Sequence, residues 1–157
     1  MRGLVRVAAM VGAVAVAACG GHKAVEIDPK DAVVGTRWNA TLATPAELAG
    51  AIQVNGTAWM ASRGGVGTVA HVTISNAAPG GKHPWHVHLG QCGNDQGILG
   101  QATAYEPLEV NGDGRAESEA RLDLALPTSG QYFVNVHASA DNLGTILACG
   151  NLAPPLQ

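Results

Sequence analysis

The six histidines of the chain fall at positions 22, 71, 83, 86, 88 and 137, and three of them crowd into His83-Pro84-Trp85-His86-Val87-His88. In an extended segment, residues two apart project to one face. His86 and His88 are therefore expected to aim two imidazoles at one point, with Trp85 and Val87 packing on the opposite side. Imidazole suits copper, zinc and iron, so this pair is half of a transition-metal site. A bare His-x-His is also a common pattern of solvent-facing histidines. A third, His137, ends the run Gln131-Tyr132-Phe133-Val134-Asn135-Val136. If that run lies beside 84–89, three imidazoles converge; if not, His137 is a strand-end histidine bonded to backbone.

The elements that must position these side chains read as strands. The chain has 157 residues, 46% apolar, 13% charged and 4% aromatic, with 21 glycines. This length suits one domain with a tail and a core that needs no metal staple. So much glycine favours turns over long helices, and so little charge at this hydropathy argues against disorder. Segments rich in Val, Ile, Thr and aromatics predict strands near 36–44, 52–61, 66–76, 84–89, 102–110, 115–125, 130–138 and 144–149. Ser62-Arg63-Gly64-Gly65 and Asn111-Gly112-Asp113-Gly114 supply turn chemistry between them. Val66, Thr68, Ala70, Val72 and Ile74 alternate as the more apolar face, which turns His71 outward as a surface residue. The stretch 115–126 also scores as a short helix, but Leu122, Leu124 and Leu126 fit period two better. No repeat is visible, and eight short strands without a helix imply an all-β sandwich or barrel.

The amino terminus reads as an address. Arg2 and Arg6 precede an uncharged apolar run from Val7 to Ala18, too short for the ~20 residues that cross a hydrocarbon core. It is expected to be the h-region of a secretory signal over 1–18. The run ends in Val16-Ala17-Ala18-Cys19-Gly20, which resembles the lipobox of bacterial lipoproteins. That resemblance implies a lipid on Cys19, a membrane anchor, and a location on the cell envelope facing the periplasm or exterior. The alternative is an ordinary signal peptide cleaved near Ala18. Residues 19–35 look like a tether, with His22 a bystander, and the domain is expected over 36–157. Net charge is −3 for the whole chain and −5 from Cys19 onward, so no basic face invites nucleic acid. Export also favours disulfides, and with Cys19 on lipid only Cys92 and Cys149 are left to pair.

Taken together, Trp85-His86-Val87-His88, then a cysteine, then Tyr132-Phe133-Val134-Asn135-Val136-His137 and Leu147-Ala148-Cys149-Gly150 resemble the copper-zinc superoxide dismutase family. Leu108-Glu109-Val110-Asn111-Gly112-Asp113-Gly114-Arg115-Ala116 resembles its middle hairpin. Order and spacing match over about 36–152. The resemblance implies an eight-stranded Greek-key β-barrel carrying its metal on the outer side under loops, and a disulfide from the metal loop to the last strand, matched by Cys92 and Cys149. It implies copper on His86, His88 and His137, and a structural role for His83 behind the ligands, tying loop to strand. His71 matches no family ligand.

Departures from the family pattern redirect the functional reading. No histidine occurs between 89 and 136, so the histidine that bridges copper and zinc has no equivalent. Only twelve residues separate Cys92 from Tyr105, and Asp95 is their one carboxylate, too little for a four-ligand zinc site. Zinc is not expected. The arginine that the family places three residues before its last cysteine is Ile146 here, and only eleven residues separate His137 from Cys149. Lys82 is the nearest basic residue in sequence that could substitute. Three readings stand: a slow copper-only dismutase acting on superoxide, a binding protein that buffers copper or delivers it to a copper-handling partner, or a barrel with a vestigial site. A cupin would need a glutamate just after His-x-His, and a blue-copper site a cysteine near histidine and methionine; neither pattern is present. A homodimer and a monomer both remain compatible with the sequence.

Overall fold

The computed structural model describes residues 37–155; the signal, Cys19, His22 and the tether to residue 35 lie outside them. The described chain is all-β. Eight strands form one curled antiparallel sheet: β1 (Trp38–Ala43), β2 (Asn55–Arg63), β3 (Gly67–Ser75), β5 (Trp85–Gln91), β6 (Asn94–Ile98), β8 (Ala116–Leu122), β9 (Tyr132–Ser139) and β10 (Asn142–Leu152). Their order across the sheet is β6-β5-β9-β10-β1-β2-β3-β8. A separate two-residue pair, β4 (Lys82–His83) with β7 (Leu108–Glu109), lies outside the main sheet.

Alternation builds the core. On β3, Ala70, Val72 and Ile74 are buried while His71 and Thr73 between them are only half-buried. Trp38 and Leu42 of β1, Met60 of β2, Trp85 and Val87 of β5, and Val134 and Val136 of β9 join the same cluster. The β2–β3 hairpin turns through Gly64 and Gly65 at φ +61° and +79°, a backbone that side-chain-bearing residues rarely adopt. Val66, expected on the apolar face, belongs instead to this turn and is 81% exposed. The next turn is held by Asn111, whose Oδ1 accepts from the N–H groups of Asp113 and Arg115. The segment after it is the strand β8, not a helix; it ends at Leu122, and Leu124 and Leu126 pack on the core from outside it.

The expected strand over 102–110 does not form. It is a 3-10 turn at Ala102–Ala104, then an irregular stretch, then the two residues of β7. Pro107 has no N–H for a ladder and fixes its own φ. The stretch instead spans the open side of the curled sheet. Trp85 Nε1 on β5 and Ser118 Oγ on β8 both donate to the Glu106 carbonyl, each at 2.8 Å. Tyr105 bridges to Ala120, and its hydroxyl donates to the Leu99 carbonyl at 2.7 Å. The two flanks of the sheet are thus laced together by side-chain bonds and one isolated backbone bridge rather than by a ninth strand.

Candidate metal centre

Period two on β5 and β9 splits their side chains between two faces. Trp85, Val87, Val134 and Val136 enter the core. His86, His88, Phe133, Asn135 and His137 point to the other face, yet all five are buried. The strands are hydrogen-bonded neighbours, with His86 opposite Asn135 and His88 opposite Phe133. Adjacency of 84–89 and 130–138 was the condition for three imidazoles to meet, and it holds. One ring nitrogen from each of His86, His88 and His137 lies within 4.8 Å of the others.

The outer partners settle which nitrogens face inward. His88 Nδ1 donates to Asp95 Oδ1 at 2.9 Å, and His137 Nδ1 donates to the Leu143 carbonyl at 2.7 Å. Carboxylate and carbonyl oxygens only accept, so both rings carry a proton on Nδ1, and in the neutral ring Nε2 is then the nitrogen with the free lone pair. That Nε2 of His88 is buried with no hydrogen-bond partner, a costly state for a polar atom unless a ligand takes its lone pair. His86 Nδ1 stands 3.2 Å from His137 Nε2. Two nitrogens ~2.0–2.1 Å from one ion lie ~3.3–3.6 Å apart at trigonal or tetrahedral angles. The spacing therefore accommodates either one shared proton or an ion in its place. Oriented rings with acceptors behind them are the usual support of a metal-binding histidine, so the residues fit the group.

Aromatic packing fixes the rings. Phe133 stacks on His88 at 5.1 Å between centroids, and Tyr105 meets His86 edge-on at 5.3 Å. Asp95 comes from β6, a strand absent from the sequence expectations because Asn94–Ile98 is polar and exposed without alternation. Partial burial pushes its carboxyl upward, but the Gly97 N–H and His88 outweigh this and hold it below the usual range. Asp95, Phe133 and Tyr105 are the site residues that histidine spacing alone does not reveal.

Burial is the main force on the His86 and His137 imidazoles. It pushes His86 down to about 4, with His137 and His88 adding repulsion and Asp95 opposing. Burial also lowers His137, against the pull of the Leu143 carbonyl. The ordinary imidazole value is 6.5, so between there and about 4 the unfolded chain takes up a proton that folded His86 refuses. Stability from this source is complete above 6.5 and is lost as pH falls toward 4. Metal-free protein is expected to melt at progressively lower temperature over that interval. His86→Phe is expected to flatten the dependence, and a melting temperature constant from pH 7 to 4 would contradict the assignment.

The remaining histidines stand apart. His83 on β4 is buried, and its Nδ1 donates to the Ala138 carbonyl at 2.9 Å, tying β4 to β9. His71 stacks on Trp59 at 5.2 Å on the outer face, 4.0 Å from Glu117. Lys82 is paired with Glu109 at 2.7 Å on the β4–β7 ribbon and is not among the residues that line the cleft at His137.

A cleft of about 810 Å³ opens onto His137. Its walls include the bonded pair Cys92–Cys149, with Cα atoms 6.0 Å apart, and Pro45, Leu48, Leu143 and Ile146. Ile146 is directly cross-strand from His137. The charged side chains lining the cleft are Glu47 and Asp95, and no lysine or arginine does so among the described residues. Comparison with protein-family models and with curated proteins finds no match for this chain.

Proposed function

We propose that this chain is a copper-binding envelope lipoprotein built on the superoxide dismutase type of Greek-key barrel, and that any dismutation of superoxide by it is slow. The observation that carries the reading is the convergence of three buried imidazoles, one with a bare and unpartnered Nε2. The sheet order supports the Greek-key assignment, because β1 returns beside β10 and β9 beside β5. The Cys92–Cys149 bond supports an oxidising compartment, and Cys19 with its lipobox supplies the proposed anchor. Copper at these three nitrogens is favoured by the resemblance to the copper-zinc superoxide dismutases, since the one carboxylate beside them, Asp95, is already engaged by His88 and no closed four-ligand zinc site is left.

Bound copper would supply a one-electron couple able to take an electron from superoxide and return one. The chain's own contribution to such turnover is thin. Ile146 lines the approach where the family places arginine, so nothing cationic orients an anion beside His137. No fourth histidine joins the cluster among the described residues, so protons must come from water. Steering fields raise association rates by about 10- to 1,000-fold where they exist, and that gain is absent.

The test is elemental analysis and a dismutation assay on one sample. It should contain about one copper and no stoichiometric zinc, and turn over at least ~10-fold below an ordinary family enzyme. Ile146→Arg is expected to raise the rate, most strongly at low salt. A tightly bound zinc, or wild-type turnover at the family's rate, would overturn the reading. The acidic cleft favours a second reading, copper buffering or delivery without turnover, which a copper-loaded but inactive Ile146→Arg variant would establish.

A further inference from the structure

We propose that the cleft is the loading route of the metal cation, with Glu47 at its rim as the first carboxylate to attract the ion and Asp95 as the second, beside the histidines. This rests on the copper-binding reading above. Charge in the described domain is uneven in a way that bears on access. Five basic side chains lie within 37–155 against nine acidic ones. Four of the five are committed elsewhere: Arg63 to Asp123, Lys82 to Glu109, Arg121 to Glu119, and Arg37 over the Trp59 ring. Glu47, in contrast, forms no ion pair among the described residues, and it faces the same opening as Asp95.

The cleft also leads to a ligand-seeking group. His137, 5% exposed, lines it and lies beside the unpartnered Nε2 of His88. A concave surface of one sign focuses the field and concentrates ions of the opposite sign. Apolar walls at Pro45, Leu48 and Ile146 lower the local dielectric, so the carboxylates act over a longer range than on an open surface. Nothing in this geometry requires Glu47 to touch the bound ion. It sits on the β1–β2 connection, whereas the histidines come from β5 and β9. Its effect should therefore fall on rates and not on equilibrium.

The experiment follows Cu(II) uptake by the metal-free protein in stopped flow, using the metal alone with tryptophan emission as readout. Glu47→Gln should slow association about threefold to tenfold at low ionic strength, and Glu47→Lys should slow it further. Dissociation should slow by a similar factor, leaving affinity within about twofold. Both rate differences should vanish near 1 M salt, where the Debye length is only ~3 Å. Glu119→Gln removes the same charge from β8, outside the cleft, and should leave the rate at wild type. Equal rates for wild type and Glu47→Lys, with normal affinity, would overturn the loading route alone. Equal slowing by Glu119→Gln would overturn it too, since net charge would then be the cause. Failure of the wild type to bind copper would overturn both this proposal and the copper-binding reading.

Discussion

His88→Ala is expected to abolish stoichiometric copper binding, a loss larger than the ~10–100-fold typical of removing a partner behind a metal ligand, because it removes a buried nitrogen for which no protein group competes. His137→Ala should do the same, while Asp95→Asn should fall between these variants and wild type. Asp95 does not need to touch the ion. Its Oδ1 holds the proton on His88 Nδ1 at 2.9 Å, which leaves Nε2 bare and turns the ring inward. An amide can still present its oxygen to Nδ1 but lacks the negative charge, so a loss of ~10–100-fold is expected. Titration against a competing chelator ranks the series. A wild-type affinity in Asp95→Asn would show that packing by Phe133, 5.1 Å from the His88 ring, orients it unaided. Unchanged affinity in His88→Ala would remove that residue from the centre. Far-ultraviolet circular dichroism should be unchanged throughout, because the histidines occupy the face of β5 opposite the core residues Trp85 and Val87.

What could be read from the chain followed the physics of alternation. Wherever one face of a strand enters the core, as on β3, β5 and β9, side-chain period two exposes the strand and its orientation together. His86 and His88 share one face because residues two apart in a strand do, and Trp85 and Val87 take the other. Elements held by single bonds escape such a reading. β6 is exposed along most of its length and exists through its pairing with β5. β4 and β7 are two residues each. Residues 102–110 carry strand-forming side chains, but Pro107 and the shared Glu106 carbonyl convert them into a strap. Asp95 was legible as a carboxylate and not as a partner of His88, because that contact depends on a hairpin with no hydrophobic signature.

Ile146 lies opposite His137 in the sheet register and on the wall of the cleft, at the position to which the resemblance to the copper-zinc superoxide dismutases would give an arginine. The approach to His137 is lined by an apolar side chain and two carboxylates. Under the proposed reading, copper binding would depend on the three nitrogens and rapid anion turnover on a cationic approach, so the first can be retained without the second.

Replacing Cys92 and Cys149 together by alanine is expected to lower the unfolding free energy by ~4 kcal/mol, measured as a shift in denaturant midpoint. The bond joins residues 57 apart, so it restrains a long loop of the unfolded chain, and that restraint has its larger effect the longer the loop. The loop it closes contains β6, the strap, β8 and β9. In the folded state it ties the β5–β6 turn to β10 across β9, alongside the bond from the Cys92 N–H to Asn151 Oδ1 at 2.8 Å. That placement gives the substitution a second consequence. β6 carries Asp95 and pairs with β5 over few residues, so without the bond it should open more often and release His88 from its acceptor. Copper affinity of the double variant should therefore fall toward that of Asp95→Asn under conditions where the sheet is still folded. Adding Asp95→Asn to the double variant should then weaken binding little further, because both changes act on one contact. Fully additive losses would show that the disulfide supports the sheet without supporting the centre.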